Sequence, residues 1–177
     1  MIVLESERLL FRSHQAADLD AFCAMEADAE VRRYVGGYPR TREVAEQRFR
    51  ERAMHPVDGR LAMWATVLKA DDCYVGRSGL YPHIEGGEKV AGEGVLGFYF
   101  AREFWGRGLA TEAGRAFVNF GFDELKLTRI VTSVQVENAA SIRVLEKLGF
   151  VIASHEIGPR SFYHFELPRP INRAVGE

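Results

Sequence analysis

The stretch FYFAREFWGRGLATEA, residues 98–113, decides the fold. It opens on aromatic residues suited to a strand, Phe98, Tyr99 and Phe100. It closes on the start of an amphipathic helix, with Ala113, Ala116, Phe117 and Phe120 at i, i+3, i+4 and i+7. Between them stand Gly106 and Gly108, one residue apart behind Trp105. Glycine inside a helix costs about 0.5–1 kcal/mol against alanine, so the pair marks a turn rather than helix interior. A strand running through a glycine turn into a helix is the architecture of an anion site, because the first helical N–H groups are unpaired and carry partial positive charge. No Lys-Ser/Thr follows the second glycine, which excludes a nucleotide-hydrolase P-loop. Thr111 stands where a dinucleotide fingerprint would place its third glycine. On this stretch alone, glycines that merely relieve a crowded strand–helix corner remain an open reading.

Further along, RIVTSVQV reads as a strand with Ile130, Thr132, Val134 and Val136 on one face. Asn138 then opens a helix in NAASIRVLEKLGF, where Ser141, Val144, Leu145 and Leu148 share a face and Gly149 occupies the C-cap position. SFYHFEL is the final strand, and the segment from 168 on reads as a loose tail. Upstream, RLLFR reads as the first strand, and DLDAFCAME as a helix. REVAEQRFRERAM is a second helix, capped by Thr41 and carrying Arg42, Arg48, Arg50 and Arg52 on a solvated face. MWATVLKA, CYVGRSGLY and GVLGFYF are strands, the last two joined by PHIEGGEKVAGE as a hairpin loop. The order predicts a mixed α/β fold: a mostly antiparallel central sheet, a strand–helix–strand unit, and helices on both faces.

With 177 residues, 47% hydrophobic and 27% charged, the chain fits one globular domain over residues 1–177, its core spanning about 4–167. A net charge of −2 gives no basic field for nucleic acid, and no apolar run is long enough to span a membrane. Cys23 and Cys73 lack partners at metal-ligand spacing and are read as packing residues, so no metal is expected. The plain expectation is a reduced cytoplasmic protein, monomer or homodimer.

Taken together and in this order, GFYFAREFWGRGLATEA and VENAASIRVLEKLGF resemble two motifs of the GCN5-related N-acetyltransferases (GNAT). Within that superfamily the chain resembles the RimJ/RimL type, which acetylates protein N-termini and related amines. The resemblance implies the GNAT fold and acetyl-coenzyme A as acyl donor. Backbone N–H groups of Trp105, Gly106, Arg107, Gly108, Leu109 and Ala110 would hold the pyrophosphate. Phe98, Tyr99 and Phe100 would offer a strand edge to the pantetheine arm, which adds like a further strand, and Gly97 suggests a bulge or splay there. Asn138 would hydrogen-bond the pantetheine side, and Ser141 would lie near the thioester sulfur. Two positions depart from the pattern: Glu103 stands where Gln or Arg is usual, and Val95 fills the slot usually held by a glutamate.

The reaction so implied is attack of an amine on a thioester. The amine must first lose a proton, the departing thiolate must gain one, and a free backbone N–H could stabilise the oxyanion. Ser141 is the candidate acid. Glu93, two residues before Val95 and on the same strand face, is the first candidate base. Glu85 and Glu88 fit a solvated loop, His83 and His164 are further options, and Tyr163 could line the amine pocket. Trp64 and Trp105 fit a core or a cofactor wall, and Glu112 a first-turn charge matched to the helix dipole. The acceptor is expected to be a protein N-terminus or a small amine such as a polyamine or aminoglycoside-like compound. A coenzyme A-binding module without catalysis is the alternative outside the enzymes.

Overall fold

The computed structural model describes residues 2–53 and 60–170. Its strands are β1 (Ile2–Glu5), β2 (Leu9–Arg12), β3 (Ala62–Leu68), β4 (Cys73–Glu85), β5 (Glu88–Phe100), β6 (Arg129–Gln135), β7 (Val151–Glu156) and β8 (Phe162–Pro168). They form one eight-stranded sheet in the order β1-β2-β3-β4-β5-β6-β8-β7. Every neighbouring pair is antiparallel except β5 and β6. The helices are α1 (Leu19–Ala27), α2 (Ala29–Arg32), α3 (Arg42–Arg48), α4 (Leu109–Asp123) and α5 (Ala139–Lys147). The expected mixed sheet with helices on both faces is therefore present.

Strand alternation divides the core in two. On β3, Ala62 and Trp64 pack in the cluster that holds Leu109, Ala113 and Phe117 of α4. Ala65 and Val67, pointing the other way, pack with Phe22 and Cys23 of α1 and Ala45 of α3. Local signals hold where the sequence is punctuated. Thr41 Oγ1 accepts from the Val44 N–H at 3.4 Å and caps α3. Gly149, at φ +88°, ends α5, with its own N–H on Glu146 O and that of Phe150 on Leu145 O. The second helix continues past α3 as a π-helical turn over Phe49–Ala53; its expected last residue, Met54, lies outside the described residues.

Three expectations are corrected. The N-terminal strand is a hairpin, β1 and β2, rather than one strand. Residues 82–93 are not a loop: β4 and β5 run on to a two-residue turn at Gly86 and Gly87, whose positive φ values of +60° and +88° suit a tight hairpin. The tip projects into solvent, so no apolar alternation betrays it. Between α5 and β8 the chain forms β7, an edge strand in which every residue is exposed, again leaving no buried period to read. The expected loose tail falls outside the described residues beyond 170, and Pro168 belongs to β8. No helix among the described residues is long and apolar enough to cross a membrane.

Candidate functional site

The parallel pairing of β5 and β6 covers Glu93↔Arg129, Gly94↔Ile130 and Val95↔Val131, and stops there. Beyond it β5 stays paired with β4 as far as Phe100, and β6 stays paired with β8 as far as Gln135. The two strands thus part, and the opening is a cavity of about 550 Å³ lined by Leu96, Gly97, Phe98, Tyr99 and Phe100 on one side and Thr132, Ser133, Val134 and Gln135 on the other. The backbone of β5 facing the opening has lost its ladder partner, which leaves polar groups for a ligand. The expected splay is there, but Gly97 is not bulged: it pairs in register with Gly79. A Cβ on Gly97 would stand 3.0 Å from Met63 Sδ and 3.2 Å from Tyr81, so close side-chain packing explains that glycine.

At one end of the cavity lies the glycine turn. A short 3-10 turn, Arg102–Phe104, leads to Trp105, whose Nε1 donates to Phe100 O at 2.7 Å. Gly106 and Gly108 sit at φ +73° and +77°, Gly108 being the N-cap of α4. A Cβ on Gly106 would meet nothing within 4 Å, and one on Gly108 only Arg8 Nη2 at 3.6 Å. Crowding is therefore not their reason: left-handed backbone and open approach are. Among the described residues the N–H groups of 106–111 find no acceptor. Trp105, Gly106, Gly108, Leu109 and Ala110 line the cavity; Arg107 does not, its guanidinium lying 5.5 Å from the Phe104 ring centre. Arg143 and Lys147, one helical turn apart on α5, also line it. Sequence reasoning passed over this pair, although an i, i+4 basic pair on a helix near a phosphate turn was a usable signal.

Glu112, in the first turn of α4, accepts from Ser6 Oγ at 2.7 Å, from the Arg8 N–H at 2.7 Å and from Arg8 Nε at 2.6 Å. Burial pushes its carboxyl up, but these hydrogen bonds and the Arg8 charge outweigh that and hold it below the usual range. Its role is to tie the turn to the β1–β2 hairpin. Asn138 Oδ1 accepts from the Ser141 N–H at 3.2 Å, so Asn138 caps α5 while also lining the cavity with half-buried Ser141.

The other end of the cavity is lined by Glu30, Val31, Tyr34, Tyr81, Tyr99 and Phe162. Tyr34 reaches across it, donating its hydroxyl to Glu137 O at 3.2 Å while its carbonyl accepts from Gln135 Nε2 at 3.2 Å. Burial pushes the Tyr81 phenol well above its usual range. Behind Tyr99 the Arg77 guanidinium lies 5.0 Å from the ring centre and donates to Glu26 at 2.6 Å. Glu26, 2% exposed, also pairs with Arg40 at 2.8 Å and Arg32 at 3.4 Å, so one buried carboxylate serves three guanidiniums.

Glu93 does not join this cavity. Its carboxylate pairs with Arg129 at 2.6 Å and with His83 Nδ1 at 2.7 Å, near the start of β6. Burial pushes its carboxyl up, and the hydrogen bonds from His83 and Arg129 prevail and lower it. A carboxylate so committed is a poor proton acceptor, and it stands outside the cavity where the expected base would act. His83 is spent in the same cluster. Glu85 and Glu88 face each other across the exposed hairpin tip, and Tyr163 packs on His155, 4.8 Å between ring centres, outside the cavity. Trp64 is a core residue at 1% exposure.

Known proteins match this geometry. The profile of the acetyltransferase (GNAT) domain matches residues 8–151. The N-acetyltransferase p20 of Bacillus licheniformis is 30% identical over 152 residues, 85% of this chain and 83% of that protein. A crystal structure of a GNAT-family acetyltransferase from Bacillus anthracis superposes with a TM-score of 0.81 at 23% identity, over 95% of this chain and 98% of that one. Spermidine N-acetyltransferase from Vibrio cholerae, in complex with CoA and spermine, superposes with a TM-score of 0.74 at 18% identity, over 91% and 95% of the two chains.

Proposed function

The chain belongs to the acetyltransferase (GNAT) family and with it is an acetyl-coenzyme A-dependent N-acetyltransferase; from that premise we propose that it acetylates protein or peptide N-termini, in the manner of the RimJ/RimL type. The observation that carries this reading is the parting of β5 from β6 onto the left-handed glycine turn. The open edge at Phe98, Tyr99 and Phe100 suits an extended amide-bearing arm, and the unpaired N–H groups of 106–111 suit a pyrophosphate. Arg143 and Lys147 add positive charge on the phosphate side. The bound group supplies an activated acetyl thioester. Ser141 stands at the N-terminus of α5, where its hydroxyl gives a proton to the leaving sulfur; Asn138 fixes that turn.

The acceptor end argues against a polyamine, which carries several positive charges and calls for several carboxylates. Glu30 is the only acidic side chain among the described residues lining the cavity, and it is paired with Arg33 at 3.6 Å. The surplus of guanidinium over carboxylate around Glu26 adds a repulsive background behind Tyr99. A single amine with a neutral or acidic remainder fits better.

The test is calorimetric titration with acetyl-coenzyme A, followed by thiol-release assays with peptides of free N-terminus and with spermidine. Binding, and turnover of peptides well above spermidine, is expected. Preference for spermidine overturns the acceptor assignment, and no binding at millimolar acetyl-coenzyme A overturns the site.

A further inference from the structure

A hydrogen-bonded chain crosses three strands of the sheet and ends in the cavity. Ser133 on β6 and His164 on β8 are direct cross-strand partners, with Ser133 Oγ 2.8 Å from His164 Nδ1. The other ring nitrogen, His164 Nε2, lies 3.3 Å from Glu156 Oε2 on β7. Ser133 lines the cavity on the strand face opposite Ile130, Thr132 and Val134, which point into the core or its margin. With Glu93 committed elsewhere, this is the one linked series of acid, imidazole and hydroxyl among the described residues that reaches the cavity wall.

We infer that Ser133 is a further catalytic residue, relaying a proton from the acceptor amine to His164, with Glu156 positioning the imidazole. The inference rests on the acetyltransferase reading above. A carboxylate at Nε2 accepts that nitrogen's N–H and so selects the tautomer whose Nδ1 lone pair faces Ser133. The ammonium of the acceptor gives one proton to Ser133 Oγ as the serine's own proton passes to Nδ1. The freed nitrogen lone pair forms the C–N bond to the acetyl carbon and the C–S bond breaks. The second nitrogen proton ends on the sulfur. His164, whose side chain is 38% exposed, returns its proton to water, so each turnover releases one proton and leaves the chain unchanged. The charged groups around His164 on this face are Glu156 on β7, Glu166 on β8, and Arg129, which bridges Glu166 and Glu93. A bare structural pairing of Ser133 with His164 would contribute only about 0.5–1.5 kcal/mol to stability and nothing to rate.

The experiment compares wild type with His164→Gln, Ser133→Ala and Glu156→Gln at saturating acetyl-coenzyme A, using a peptide N-terminus as acceptor. His164→Gln should lower kcat about 10²-fold at neutral pH with cofactor Kd within a few-fold, and should remove the acidic limb of the kcat profile. Ser133→Ala should lower kcat at least ~10-fold, since water can bridge part of the gap. Glu156→Gln should lower kcat severalfold with cofactor Kd unchanged, because the imidazole loses the partner that holds its tautomer. A readout independent of turnover is 15N NMR of the unliganded protein. His164 should show the Nε2–H tautomer, and Glu156→Gln should let the Nδ1–H form appear beside it. Wild-type kcat and pH limb in His164→Gln, or an Nδ1–H tautomer, overturns the relay alone. Absence of turnover by the wild type itself overturns the acetyl-transfer reading, and the catalytic role of Ser133 with it.

Discussion

Gly108→Ala separates two jobs that the turn glycine performs. At φ +77° an L-residue costs about 1–2 kcal/mol, because Cβ crowds its own carbonyl. The new Cβ meets only Arg8 Nη2 at 3.6 Å, an ordinary contact, so no clash adds to that cost. For a chain of this size the loss corresponds to a fall in Tm of about 2–8 °C. If the pyrophosphate lies against this backbone, the methyl also blocks its approach, and affinity for acetyl-coenzyme A should fall at least tenfold, or ~1.4 kcal/mol. Two comparisons divide the effects. Gly149→Ala places a methyl at φ +88° with only Leu167 nearby, 3.8 Å away, and should cost similar stability with unchanged affinity. Gly108→Asn tolerates the left-handed conformation, so it should recover stability but keep the affinity loss. Differential scanning fluorimetry and isothermal titration give both numbers on each variant. Recovery of affinity together with stability in Gly108→Asn would refute the close-approach argument and leave the glycine a purely conformational role.

Ser141→Ala should keep cofactor affinity within a few-fold and lower kcat at least ~10-fold, measured by thiol release; unchanged kcat would remove Ser141 from the proton inventory. Glu93→Gln should cost about 2 kcal/mol in urea unfolding through its bonds to Arg129 and His83, while kcat and its pH profile stay near wild type. Loss of the acidic limb in that variant would restore Glu93 as the base. His14, enclosed by Phe22, Phe49 and Tyr74, is lowered by burial from 6.5 to about 4. The unfolded chain therefore binds the proton that the fold resists, and stability falls as pH drops from 6.5 towards 4, by at most about 3 kcal/mol. Urea midpoints of wild type and His14→Phe across that window check it, and parallel curves would show that His14 is not responsible.

The strand–turn–helix around Gly106 and Gly108 was legible because every signal in it is local: aromatic run, paired glycines, helical spacing. Asn138 as cap and Gly149 as stop were legible for the same reason. What failed to show was long-range. Glu93 stands on the strand where it was foreseen, but its ion-pair partner Arg129 lies 36 positions away and could not be read beside it. Ser133 and His164 are 31 positions apart, brought together only by the β6–β8 register. β7 escaped because an edge strand exposed on both faces carries no burial period. The hairpin over residues 82–93 escaped because its tip stands clear of the sheet, so only the Gly-Gly turn marked it.

The seam between β5 and β6 has a mechanical meaning. Strands β1 to β5 form one half-sheet and β6 to β8 another, and the ladder joining them is three residue pairs long. Beyond that stitch no ladder pairs β5 with β6, and the halves are held by side chains and by the contact of α4 with α5. An arm laid along β5 there acts as a ninth strand, extending the stitch into a full weld. Amides of β6 beyond Val131 should then exchange more slowly when the cleft is filled, so occupancy is recorded as stiffness across the whole molecule.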